Sequence, residues 1–227
     1  MNYIKSFCKI SQGKVWLNDN YFFEYKHEPF VLNEFYYALY EHLGIDYRKF
    51  FKMDRLSKLS FLAAEILLAD SDREQPKTDM GIILFNKRSS LDADVAYQKT
   101  IQNKDDFFPS PAEFVYTLPN IAAGEIAIRN KIYGETMFYV MRHFYGNIIT
   151  DAINDALYAA GINCVLAGWM NLDVLKNKVE CLMMLCTTKR GKTENKQFIP
   201  YLPADFHIDR FDNFLEIFED TVGDLYD

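Results

Sequence analysis

Six segments of the chain carry hydrophobic residues at helical spacing, which predicts amphipathic helices. The stripe is most regular over residues 148–160, and Gly161 follows it as a terminator. Asp54 precedes another segment, and its carboxylate can accept from the free amides of a first helical turn. The last segment has phenylalanines on one side and acidic residues on the other, which predicts a C-terminal amphipathic helix. The predicted helices cover residues 32–42, 55–69, 92–102, 121–133, 148–160 and 209–224.

Shorter apolar runs predict five β-strands. Two of them, at 80–85 and 136–141, are almost wholly apolar, which is typical of interior strands covered on both faces. Residues 11–30 are polar, aromatic and rich in turn residues, so they predict a long irregular connection. Strands and helices alternate in the order βαβαβαββ, which indicates an α/β fold with a mixed, mostly parallel sheet flanked by helices. The predicted strands cover residues 3–10, 80–85, 136–141, 163–168 and 179–188.

Composition excludes several classes of function. The 227 residues, 49% of them hydrophobic and 25% charged, suffice for one sizeable globular core. A net charge of −7 without a cluster of Lys and Arg argues against nucleic acid as a partner. The first residues lack the apolar core of a signal peptide, and no apolar stretch reaches the roughly 18 residues of a membrane helix. We therefore expect no membrane span and a cytoplasmic location.

Cysteine usage gives no sign of a metal centre. Four cysteines lie in or beside apolar runs, where reduced core thiols are the simplest interpretation, ahead of a disulfide or a metal site. No pair has the CxxC spacing of a zinc ligand set. We expect neither a metal nor another cofactor. The four residues are Cys8, Cys164, Cys181 and Cys186.

Several short motifs follow one another in a recognisable order. Met53-Asp54-Arg55 opens a predicted helix, and Met80-Gly81-Ile82 opens the strand after it. Ser110-Pro111 and Leu118-Pro119-Asn120 precede the helix at 121–133, and Leu166-Ala167-Gly168 ends a later strand. This ordered set resembles the N-terminal half of β-ketoacyl synthases, which have a thiolase-like fold. The resemblance covers about residues 1–190 and implies a synthase-like domain there, with residues 191–227 as an extension packed on that domain or on a partner.

The resemblance fails at the family's nucleophile. In β-ketoacyl synthases a cysteine at the amino end of a buried helix carries the acyl chain as a thioester. The corresponding position falls at His143, and residues 141–146 contain no Cys, Ser or Thr. The family also takes catalytic histidines from a second half that this sequence does not match. The resemblance thus implies a catalytically degenerate protein: a non-catalytic subunit, or a partner that binds acyl chains or acyl carriers, in fatty-acid or polyketide-type biosynthesis.

Two interpretations of the region around His143 stay open. In the first, His143, Phe144 and Tyr145, together with Asn120, line or fill the former substrate channel. In the second, His143 acts as the base of a repurposed acyltransferase or thioester hydrolase, which needs no cysteine. Whether the protein is an enzyme is left undecided by the sequence, with the balance against it.

A single half of a two-half fold is expected to leave an apolar helix face uncovered. The candidate interface residues are Ile148, Ile149 and Ala152 on that face, with Phe214 and Phe218 from the tail. The tail, a second copy or a complete ketosynthase can supply the cover, and we expect a homodimer or a heterodimer with a ketosynthase. A homodimeric module that binds acyl chains without an assembly role is a further alternative.

An acidic acyl carrier protein is another candidate partner. Arg129, Lys131 and Arg142 flank the region of His143 and are candidates for docking it, with a solvated helix face as the alternative.

Overall fold

The structure is a computed structural model that describes residues 2–18, 20–105, 107–159, 161–174 and 176–188. The predicted tail helix at 209–224, with Phe214 and Phe218, lies outside the described residues, as does the proposed extension at 191–227. The division into these two parts stays a prediction.

Helices form where the apolar stripes predict them. Asp54 caps its helix as expected, because its carboxylate accepts hydrogen bonds from the backbone amides of Leu56 and Ser57. A one-and-a-half-turn helix after Ser110 was not predicted, and a short 3-10 helix spans Arg48–Lys52. The described helices are α1 (Leu32–His42), α2 (Arg55–Leu67), α3 (Leu91–Ile101), α4 (Pro111–Tyr116), α5 (Ile121–Asn130) and α6 (Gly146–Tyr158).

The described strands form one seven-stranded sheet in the order β3-β2-β1-β7-β6-β4-β5. Helices flank both of its faces, so the predicted α/β class with a mixed sheet is confirmed. The strands are β1 (Tyr3–Ser11), β2 (Lys14–Leu17), β3 (Asn20–Glu24), β4 (Met80–Asn86), β5 (Thr136–Val140), β6 (Cys164–Asp173) and β7 (Lys178–Thr187).

The sheet contains fewer parallel ladders than the sequence predicted. Strand β4 pairs in parallel with β5 and β6, whereas the other four ladders are antiparallel. Strands β1 and β3 to β6 run in one direction, but β7 and β2 run in the other and separate them. The alternation of strands and helices predicted a mostly parallel sheet, which holds only for the ladders of β4 with β5 and β6. It could not reveal that β7 inserts between β1 and β6.

The expected irregular connection at 11–30 is wrong, because β2 and β3 lie there. Ser11 pairs with Lys14, so only Gln12 and Gly13 join β1 to β2. Both have positive φ, 43° and 81°, the geometry of the two-residue turn that suits twisted antiparallel strands. Strand β2 is only partly buried, so it lacks the apolar run by which a strand is recognised in sequence.

Two apolar layers sandwich the sheet. In β4, Ile82 and Leu84 pack on the side of α2 and α5, while Ile83 and Phe85 pack on the side of α6. The expected bare face of α6 is a further error, because its stripe lies buried against the sheet. That stripe consists of Ile149, Ile153, Ala156 and Leu157.

Strand β5 lies at the edge of the sheet, although the sequence predicted an interior strand. Its last two residues, Tyr139 and Val140, are 39% and 52% exposed. An apolar run shows that a strand avoids water, but it does not distinguish cover by this chain from cover by another.

Candidate functional site

The loop of residues 141–145 joins β5 to α6 and contains the predicted site. It leaves the sheet at Met141, whose amide donates to the carbonyl oxygen of Asn86 at the end of β4 (2.8 Å). Tyr145 precedes the first residue of α6, Gly146, with an extended backbone and no side-chain cap. His143 therefore lies two residues before the helix cap. It does not occupy the amino end of the helix, where the sequence had placed it.

Aromatic packing fills this loop. The Phe144 ring meets the Trp169 ring edge to face, with centroids 5.6 Å apart. His143 meets Tyr145 in the same manner at 5.9 Å, and His143 is half-buried. Trp169 directly follows Gly168 in β6, and its side chain reaches Phe144 from the sheet. These contacts show aromatic packing in the loop, and a former substrate channel at this place stays a prediction.

The structure does not bring all the predicted site residues together. Asn120 is exposed at the start of α5, on the face of the sheet that α2 covers, whereas Phe144 packs on the opposite face with α6. Of the predicted interface residues on α6, Ile148 is 45% exposed, Ala152 is half-buried and Ile149 is only 1% exposed. Ile149 belongs to the core, so a surface contact on this helix involves Ile148.

None of the four cysteines has the environment of a nucleophile. Burial raises the pKa of Cys8, Cys181 and Cys186, and all three lie inside strands. Cys164, the first residue of β6, is partly exposed, and desolvation raises its pKa to about 11. At neutral pH all four are therefore thiols, and only a thiolate attacks a thioester.

Two of the three candidate docking cations are already engaged. Arg129 is paired with the buried carboxylate of Glu65 and covers the ring of Tyr47 at 4.7 Å. The ammonium of Lys131 lies 2.7 Å from a carboxylate oxygen of Glu74. Of these three candidates, Arg142 is exposed in the loop and forms no ion pair with another described residue.

A cavity of about 310 Å³ was missed by sequence reasoning. It lies where the carboxyl ends of β4 and β6 meet the amino ends of α2 and α3. The polar segment after β4, which includes Arg88 and Ser90, was a usable signal, because loops at the carboxyl ends of parallel strands commonly line binding sites. The charged residues of its lining are Asp54, Arg55, Arg88, Asp92, Lys99 and Asp173.

Two further classes of site are not formed by the described part of the chain. It holds no group of three or more His, Cys, Asp or Glu side chains placed to bind a metal ion. None of its helices has both the length and the apolar surface that crossing a bilayer requires.

No family model and no curated protein matches this sequence. Solved structures do match it. The ishigamide ketosynthase/chain length factor is 16% identical with a TM-score of 0.59, and the match covers 85% of this chain and 63% of that one. A ketosynthase in complex with its chain length factor from Xenorhabdus doucetiae is 13% identical with a TM-score of 0.54, covering 83% and 79%. A β-ketoacyl synthase from Burkholderia phymatum is 11% identical with a TM-score of 0.53, covering 82% and 58%.

The chain thus spans less than two thirds of the first of these proteins. At such identities the likeness concerns architecture, and it agrees with the mixed seven-stranded sheet between two helical layers. The chain therefore has the thiolase-like fold of β-ketoacyl synthases.

Proposed function

We propose that this chain is a non-catalytic, ketosynthase-like subunit that pairs with a complete ketosynthase in fatty-acid or polyketide-type biosynthesis. One observation carries the proposal: a synthase-like fold whose loop before α6 contains no nucleophile. Condensation requires a thiolate that holds the acyl chain as a thioester. Residues 141–146 offer no Cys, Ser or Thr, and the cysteines elsewhere have raised pKa values.

The edge of the sheet supports a pairing role. Among the described residues, β5 has a neighbouring strand on one side only, so its outer side presents unpaired backbone groups. Tyr139 and Val140 add exposed apolar surface at that edge, and Ile148 is exposed on the first turn of α6, the helix that follows β5 along the chain. A partner that adds a strand there would satisfy the backbone groups and cover the apolar side chains. One of the similar structures is a ketosynthase bound to its chain length factor.

Co-expression with a ketosynthase from the same genome tests the proposal. We expect a stable heterodimer by size-exclusion chromatography with light scattering, and we expect Val140→Lys or Ile148→Lys to dissociate it. Tyr158→Lys is the matched control, because Tyr158 is 84% exposed on the last turn of the same helix α6. If the chain stays monomeric with every ketosynthase offered, or if the control dissociates the pair equally, pairing through β5 is wrong.

The enzymatic alternative makes the opposite prediction. A thioester hydrolase with His143 as base would release free thiol from acyl-CoA, and His143→Ala would abolish the release. We expect the wild-type protein to release none above the rate of a heat-denatured sample. Turnover that depends on His143 would replace the proposal with this alternative.

A further inference from the structure

The cavity at the carboxyl ends of β4 and β6 has one apolar wall, which the side chains of the described residues line but do not fill. Leu91 and Val95, one turn apart on α3, line it and are 47% and 49% exposed. Leu56 and Leu172 line it as well and are almost fully buried. Among the described residues of α3, only Ala93 is buried, so the apolar side of this helix borders empty volume.

Two arginines in the lining have unused hydrogen-bond donors. Arg55 Nη1 donates to Asp92 Oδ1 at 3.0 Å, and Arg88 Nη2 donates to Asp173 Oδ2 at 2.6 Å. Each guanidinium group carries five N–H donors, and among the described residues each one donates a single hydrogen bond to a side chain. Both side chains are about one third exposed, so their remaining donors are open to a ligand.

The three carboxylates of the lining are already engaged. Asp54 accepts from two amides of α2, Asp92 from Arg55, and Asp173 from Arg88 and from the amide of Lys176. Lys99, one turn after Val95, has no partner among the described residues. Because the carboxylates are paired while Lys99 and the remaining donors of the two arginines are not, the cavity favours an anion although its formal charges cancel.

We infer that this cavity binds a small carboxylate with an aliphatic portion. The planar fork of an arginine matches a carboxylate, and the apolar wall suits a short hydrocarbon chain. A volume of about 310 Å³ lies at the small end of the range of ligand pockets. The inference does not depend on pairing with a ketosynthase, because it uses a different surface from the edge of β5.

Isothermal titration calorimetry of the full chain with hexanoate tests this inference. We expect saturable binding, weaker by at least tenfold for hexanamide, which keeps the shape and lacks the charge. Lys99→Met should weaken hexanoate binding about tenfold, as for the loss of one charge-assisted contact. Lys104→Met is its matched control, since Lys104 is exposed outside the lining and its loss should change nothing.

Filling the cavity gives a second and independent measurement. Val95→Trp should abolish binding of hexanoate, whereas Ala96→Trp, at the exposed neighbouring position outside the lining, should preserve it. Circular dichroism of both variants shows whether each is folded. The inference is overturned if the wild type binds no hexanoate at millimolar concentration, if Val95→Trp binds it normally, or if inorganic phosphate binds equally well.

Discussion

Replacing Gly134 by alanine tests how closely the chain must approach itself to form this sheet. Gly134 lies in the turn between α5 and β5, beside the start of β4. A Cβ atom there would lie 2.2 Å from the carbonyl oxygen of Met80 and 2.7 Å from its carbonyl carbon. Both are backbone atoms, and non-bonded atoms do not approach so closely. The Met80 backbone cannot move away easily, because β4 is held between β5 and β6.

The substitution therefore forces a backbone shift at the start of β4, a strand that has a neighbour on both sides. Overpacking of a well-packed core costs up to about 3 kcal/mol, and we expect a loss of that size in the free energy of unfolding. Gly124→Ala is the matched control. Gly124 lies inside α5 with no atom within 4 Å of the added Cβ, so alanine should stabilise the fold by about 0.5–1 kcal/mol.

Urea unfolding of the wild type and both variants, followed by far-ultraviolet circular dichroism, measures the difference. We expect the two variants to differ by about 4 kcal/mol, with unchanged dependence on urea concentration. A Gly134→Ala protein within about 0.5 kcal/mol of the wild type would refute the close approach of the turn to β4.

Three further predictions concern single side chains. Asp54→Ala should lower the free energy of unfolding by about 1 kcal/mol in the same urea experiment, because it removes the cap of α2. Glu65→Gln should lower the free energy of unfolding by about 3–5 kcal/mol, because this carboxylate is only 2% exposed and is paired with two arginines. Glu74→Gln is its control: the Glu74 side chain is 88% exposed, so the substitution should lower the free energy of unfolding by under about 1 kcal/mol. Cys164 has a pKa of about 11, so at pH 8 it should react with iodoacetamide roughly 100-fold more slowly than an unperturbed thiol. The reaction should become faster as the pH rises, because more of the thiol is then ionised, and mass spectrometry of the labelled protein measures its rate. Rapid labelling of the folded protein at pH 8 would contradict the last of these.

The candidate site shows where sequence reasoning reached its limit. The absence of a nucleophile from residues 141–146 is a property of the sequence and needed no coordinates. The position of His143 before the helix cap, and of Asn120 across the sheet, depends on where helices begin and on which face they pack. Neither follows from a motif, because a motif fixes spacing along the chain and not the direction of approach.

The sequence by itself determined five of the six described α-helices, five of the seven described strands and the α/β class, because periodic burial and capping are local properties. Asp54 and the stripe of α6 could be read directly in this way. Only the tertiary structure decided that β7 inserts between β1 and β6, that β5 lies at an edge, and that charged ends of two helices enclose a cavity. These features arise from pairing between residues far apart in sequence, and the energy of such pairing depends on neighbours that the local pattern does not specify.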